Sequence, residues 1–232
     1  MTILISEGTK ASILFGLISG SCDGTTYIAL HKMLAANIIG DLLLIGLDWA
    51  KPHHHGMLGR LLAAPVFVFC VWLARLAAGK MRRHGLPAIR GMMLTVVVLL
   101  SVFMVLGLTL RPFPAQDSPN TLIVGMIGVA AMATLNVIAR MWPVLTAHTT
   151  AMTGNSVRLM LDLAELILKE RQKEPKLLHD SGRLGLTVLC FVAGGALAAL
   201  VYVKAGLWCI VLPFVFAIWL TAQWPKEPER QT

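Results

Sequence analysis

The chain has 232 residues, of which 56% are hydrophobic and only 14% charged, and its mean hydropathy is +0.73. A water-soluble domain, ordinarily ~25% charged, cannot hide several unbroken apolar runs of about 20 residues, each long enough to cross ~30 Å of hydrocarbon; disordered, collagen-like and disulfide-stapled chains are excluded with it. The net charge of +8 therefore bears on orientation in a bilayer, and no nucleic-acid partner is expected.

The first apolar run, residues 11–30, is the most irregular. Glu7 precedes Lys10, so a basic leader is lacking, and Ser19-Gly20-Ser21 before Cys22 is unlike a lipidation site. The segment is expected to remain as a span. Residues 34–50 follow, apolar but short and interrupted by Asn37, Asp41 and Asp48. Residues 61–78 and 89–110 are clean spans, and Pro112, Pro114 and Pro119 then break the chain. A further span at 121–141 leads, past Trp142-Pro143, into a second interrupted segment at 144–168 with Asn155, Arg158, Asp162 and Glu165. Residues 184–203 and 207–222 complete the series. Cys22, Cys70, Cys190 and Cys209 all lie in apolar stretches without paired spacing and read as small buried hydrophobes.

The fold expected is all-α: a polytopic membrane protein with six full spans and two interrupted or re-entrant helices. Loop charges favour it over eight spans in parallel repeats. With six spans, the side holding both termini collects Lys10, Lys80, Arg82, Arg83, Arg90, Lys169, Arg171, Lys173, Lys176, Arg183, Lys226 and Arg230, against Lys32, Lys51, Arg60, Arg111 and Lys204 opposite. The positive-inside bias makes the richer side, with both termini, cytoplasmic.

An offset of 114 positions lays Asn37-Ile38-Ile39-Gly40-Asp41 over Ala151-Met152-Thr153-Gly154-Asn155, and Leu47-Asp48 over Leu161-Asp162. Each copy follows a span with a polar residue, Asp23 or Asn136, and precedes two clean spans. Residues 1–116 and 117–232 thus read as two membrane repeats of a single domain. Three crossings per half make them inverted, an architecture in which broken helices meet around a polar site near the midplane.

Charge inside lipid is costly, so such residues face a partner or a wet cavity. Asp23, within Gly20-Ser21-Cys22-Asp23-Gly24-Thr25-Thr26, is expected at a helix break or tight crossing, as a proton or cation site or as a carboxyl tied to a neighbouring helix. Asp41 and Asp48 share a helix face without a local cation and require a distant one, or a proton. Asn155, Arg158, Asp162 and Glu165 also share a face, where Arg158 and Asp162 can pair. Arg75 and Arg140 stand near span ends and are expected to snorkel. His148, in a hydroxyl-rich stretch with Thr153 and Gly154, can titrate near neutrality or serve as a cap. Three consecutive histidines, His53-His54-His55, cannot easily converge on one ion, so neither a metal nor a cofactor is expected. GxxxxGK[ST], HExxH and GxSxG motifs are lacking.

The element Thr149-Thr150-Ala151-Met152-Thr153-Gly154-Asn155 resembles the YoaK-type family of uncharacterised bacterial membrane proteins. Gly20 to Asp23 fits that family's Gly-x-x-Asp element. Asn37, Gly40 and Asp41 match part of its Asn-Met-Thr-Gly-Asn element, and Asn136 and Arg140 match part of a Gln-Asn pair followed by arginine. Ile38, Ile39, Asp41 and Leu135 depart from its pattern. The resemblance implies a polytopic inner-membrane protein with about six spans and supplies no substrate.

These features point to a small secondary transporter or channel-like protein, proton-coupled through Asp23, for a small molecule or ion. Asp23, Asn37, Asp41, Asn136 and Asn155 are its candidate lining, supported by Thr153, Gly154, Asp48, Asp162, Arg158 and His148. The alternatives are a membrane-embedded enzyme acting on a lipid-type substrate through Asp41, Asp48 and Asp162, and a non-catalytic assembly partner. The bilayer is the expected partner, with a homo-oligomer as a further expectation.

Overall fold

The computed structural model describes residues 7–49, 57–115, 117–142, 152–168 and 175–223. Among them the chain is helical and without strands: α1 (Glu7–Ala29), α2 (Ile38–Trp49), α3 (Met57–Arg83), α4 (Ala88–Thr109), α5 (Pro119–Met141), α6 (Met152–Ile167), α7 (Pro175–Ala205), a 3-10 turn (Gly206–Ile210) and α8 (Val211–Ala222). Four stretches of the described residues are long and apolar enough to cross a membrane: α3, α4, α5, and the run Asp180–Ala222 that joins α7 to α8. α1 matches α5 in length, but its Ser12, Ser19, Ser21, Asp23, Thr25 and Thr26 dilute its hydropathy, and all six are buried. Their hydroxyls turn back onto their own helix in four cases, Ser12 to Gly8, Ser19 to Phe15, Ser21 to Ile18 and Thr26 to Cys22, while Thr25 donates across to the Cys209 carbonyl at 3.3 Å.

Glycine decides the closest contact in the molecule. Gly16, Gly20 and Gly24 recur every fourth residue on α1 and meet Thr187, Phe191 and Gly195 of α7 in the same order, so the two helices run parallel. A Cβ at Gly20 would overlap the Phe191 carbonyl group; one at Gly16 would stand 2.6 Å from the Thr187 oxygen, and one at Gly194 2.7 Å from the Leu17 oxygen. Dispersion between closely apposed backbones is what holds helices together where lipid offers no hydrophobic drive, and small residues every fourth position permit it.

The partners of the remaining helices form a regular set. α1 packs on α7 and α8, α5 on α3 and α4, α2 on α3, α6 on α7, and α4 meets α8. Exchanging α1–α4 for α5–α8 in order maps these pairings onto one another, but α3 also packs on α4 without a like contact between α7 and α8. Gly206, with φ of +62°, supplies the left-handed residue after α7 from which the chain turns, and α8 packs back along α1 and α4. The main core lies where α1, α4 and α5 converge on the buried side chains of Phe15, Ile18, Met93, Leu100, Phe103, Met132 and Leu135.

The segments at 11–30, 61–78, 89–110, 121–141, 184–203 and 207–222 all appear as helices. The first interrupted segment, 34–50, is helical only from Ile38, and of the second, 144–168, the described residues begin at Met152 as α6. His148 and the three histidines lie outside the described residues.

The α1–α7 contact predicts a sharp contrast between glycines. Gly20→Ala places a methyl where backbone stands and is expected to cost more than the ~1–3 kcal/mol of ordinary overpacking. Gly46→Ala, in open space on α2, is expected to be neutral or to gain up to ~1 kcal/mol of helix propensity. Thermal unfolding of the detergent-solubilised variants checks both.

Candidate functional site

Between α1 and α2 the chain leaves helical geometry for residues 30–37, with His31 and Lys32 both left-handed at φ of 57° and 67°. This link is not at the edge of the bundle. Met33 and Leu30 lie against Gly125 of α5, and Ala35 lies beside Gly128. Those glycines are six and nine residues beyond Pro119, a recess of about 9–13 Å at 1.5 Å per residue. Leu30, Met33, Ala35 and Ala36 are buried accordingly.

Irregular backbone at such depth needs partners for its amides, and two acids provide them. Asp23, one and a half turns before the end of α1, accepts from the Ala36 N–H on Oδ1 at 2.6 Å, and the N–H groups of Ala35 and Asn37 also face its carboxyl group. Asp41, in the first turn of α2, accepts from the Leu34 N–H on both oxygens at 3.2 Å. Asn37 ends the link as the cap of α2: its carbonyl accepts from Gly40 and Asp41, and its Oδ1 from Gly40 at 3.4 Å. Neighbouring elements hold the link from outside. His31 Nε2 is 2.8 Å from the Phe113 carbonyl oxygen, and Arg60 Nη2 donates to the Lys32 carbonyl at 3.4 Å.

Arg60 is the cation that Asp41 requires. Its Nε stands 3.9 Å from Asp41 Oδ1, and both side chains are almost wholly removed from solvent. Asp23 and Asp41 are near enough for their charges to interact. When both are ionised, two carboxylates face one guanidinium and one negative charge is left over. Asp23 is 5% exposed, and its Oδ2 has no hydrogen-bond partner among the described residues.

The candidates of the second half are placed differently. Asn136 donates to the Met132 carbonyl of its own helix at 2.8 Å. Asn155 is buried near the start of α6, while Gly154 and Arg158 are exposed. Asp162 turns to α7, where it accepts from the Ser181 hydroxyl at 2.8 Å. Arg140 is exposed at the end of α5, and the Arg75 guanidinium reaches along α3 to Gly79. The side chains of Asp48 and Thr153 lie outside the described residues. Asp23, Asn37 and Asp41 therefore come together around one link, whereas α2 packs on α3 and α6 on α7. Among the described residues no three His, Cys, Asp or Glu side chains converge as a metal ion would need.

Arg60 is the participant that sequence reasoning passed over. The sequence reads as placing it in a loop because the apolar run begins only at Leu61, whereas α3 begins at Met57 and carries Arg60 in its first turn. An unpaired acid on the short helix, followed at the next helix start by arginine, was the available signal.

A family model described as a protein of unknown function (DUF1275) matches residues 11–223. The chain belongs to this family. A curated relative, the UPF0700 transmembrane protein YoaK of Bacillus subtilis (strain 168), is 24% identical over 232 residues, covering 99% of this chain and all of the relative. No solved structure matches. The chain is a membrane protein of a transmembrane family, as the YoaK-type resemblance implies.

The buried pair gives a double-mutant prediction. Arg60→Met leaves Asp41 charged without its cation and is expected to cost on the order of 3 kcal/mol. Arg60→Met with Asp41→Asn is expected to cost less than the two single changes summed. Unfolding of the four proteins in detergent measures the coupling.

Proposed function

We propose that the chain is a small secondary transporter or channel-like carrier of two inverted halves and six crossings. Asp23, Asn37 and Asp41 form the polar site at the first interruption, Asn136 and Asn155 contribute from the second half, and Asp23 carries the proton. One observation bears most of the weight: a deeply buried carboxylate with an unpartnered oxygen, at a recessed break in the helices. Two acids against one arginine leave room for one more positive charge, which a proton or small cation supplies and releases.

Three contacts support six crossings. Arg60 at the start of α3 reaches the Lys32 carbonyl, the Gly59 N–H donates to Asp117 just before α5 at 3.3 Å, and Leu30 and Met33 adjoin Gly125 in the first half of α5. α1 therefore ends on the side where α3 and α5 begin. α2, at twelve residues, is too short to span and returns to that side. The swapped pairing of α1 with α7 and of α5 with α3 fits two halves of opposite orientation in the inner membrane, with both termini cytoplasmic.

A second reading has its own observation. Three of the four oxygens on Asp23 and Asp41 are spent on loop amides, as expected of carboxylates that only cap an interrupted backbone in a non-catalytic assembly protein. Proteoliposomes on a solid-supported membrane separate the two. A pH step is expected to drive a transient current in the wild type that Asp23→Asn abolishes, while the variant keeps its elution profile and melts within a few degrees of the wild type. Currents no larger than those of protein-free vesicles, or an unchanged Asp23→Asn current, would sink the carrier reading and favour the capping one.

Orientation is checked separately. In a cysteine-free background, Leu86→Cys is expected to react with a membrane-impermeant maleimide only from the cytoplasmic side and Ala115→Cys only from the outside. Eight crossings would reverse both.

A further inference from the structure

Away from Asp23 and Asp41, a cavity of about 250 Å³ opens between α3, α4 and α5. Cys70, Ala74 and Ala77 line it from α3, Met92 and Leu99 from α4, and Thr134 from α5. The hydroxyls of its threonines are spent on their own helices, Thr134 donating to the Ala130 carbonyl at 2.9 Å and Thr95 to the Gly91 carbonyl at 3.1 Å. The lining is thus apolar although two of its residues are nominally polar. Leu73, Ala77 and Thr95 are exposed, so the cavity opens sideways between α3 and α4, toward the surface that faces lipid.

One end of the cavity is formed by Met81 and Met92, where Met81 packs on the backbone of Gly91 at the α3–α4 turn. That turn carries Lys80, Arg83 and Arg90 exposed, with Arg82 between them, and Arg75 leans along α3 toward the same end. No acidic residue occurs anywhere from residue 57 to residue 115, so nothing on α3, α4 or their turn offsets this charge. An apolar slot is therefore continuous with the exposed cations Lys80, Arg83 and Arg90 at its membrane-surface end.

We propose that this crevice is a binding site for one acidic phospholipid, with an acyl chain in the slot between α3, α4 and α5 and the headgroup phosphate on Lys80, Arg83 and Arg90. Charge complementarity selects the occupant. A zwitterionic lipid brings its own cation to a cluster of cations, whereas basic residues beside a helical crevice attract anionic headgroups. The slot is smaller than the ~300–1,000 Å³ of drug-sized pockets, which suits a single flexible chain rather than a ring system. The site is independent of the carrier reading.

Native mass spectrometry of the full chain, released from detergent with phosphatidylglycerol or phosphatidylcholine of identical acyl chains, tests it. The wild type is expected to retain phosphatidylglycerol with a preference of about tenfold, which Lys80→Gln, Arg83→Gln and Arg90→Gln together erase. Ala77→Phe and, separately, Thr95→Phe fill the slot and are expected to remove the bound lipid with the basic residues intact. Phosphatidylglycerol is expected to raise the melting temperature of the wild type and of a control carrying Arg111→Gln and Lys204→Gln, and to leave the slot and charge variants unmoved. Equal retention of the two lipids overturns the proposal, as does wild-type retention by both slot-filling variants or by the charge variant. Loss of preference in the control overturns it too, since the attraction would then be diffuse.

Discussion

Unpaired backbone amides set the terms for this molecule. Water is unavailable to a chain that leaves helical geometry about 9–13 Å inside a bundle, and each orphaned N–H costs free energy comparable to a lost hydrogen bond. Leu34 and Ala36 find their acceptors on Asp41 and Asp23, one acid from the helix before the break and one from the helix after it. That arrangement brings negative charge into an apolar interior, which in turn calls for Arg60. Burial of an arginine at the start of α3, the docking of α2 on α3 and the position of α1 against α5 all follow from satisfying the same few amides.

The tight seam between α1 and α7 is the complement of this loose, polar link. Three glycines in a row of fours remove every side chain that would hold the helices apart. The seam fixes the register: Gly16, Gly20 and Gly24 each have one counterpart on α7. The result is a rigid parallel pair carrying Asp23 one residue from its last glycine. The acid is thus presented to the link from a well-fixed position.

Much of this was legible in the sequence, for physical reasons that can be named. The apolar runs at 61–78, 89–110 and 121–141 announced their helices because nothing but hydrocarbon tolerates such stretches. Asp23 and Asp41 stood out because charge in lipid is expensive, and the need of Asp41 for a distant cation was readable from the lack of a neighbour. Which cation was not readable, since Arg60 reaches Asp41 through the folding of α2 onto α3 rather than through helical spacing. The same limit applies to Asp162, whose hydrogen bond from Ser181 of α7 no local spacing announces. Asn37 stands out by its type inside an apolar segment, and its hydrogen bonds to Gly40 and Asp41, those of a helix cap, become visible only in the structure. Small residues around Asp23 hinted at close approach, but the partner helix lies some 170 residues downstream, beyond what local pattern encodes.

That long separation has a consequence for how the protein is made. When α1 leaves the ribosome, the helix that covers its glycine face has not been synthesised. Until α7 follows, the bare backbone of Gly16, Gly20 and Gly24 is without its counterpart. Ribosomes translating the middle of the message therefore hold an N-terminal half whose tightest seam is still open, and completion of the C-terminal half is what closes it.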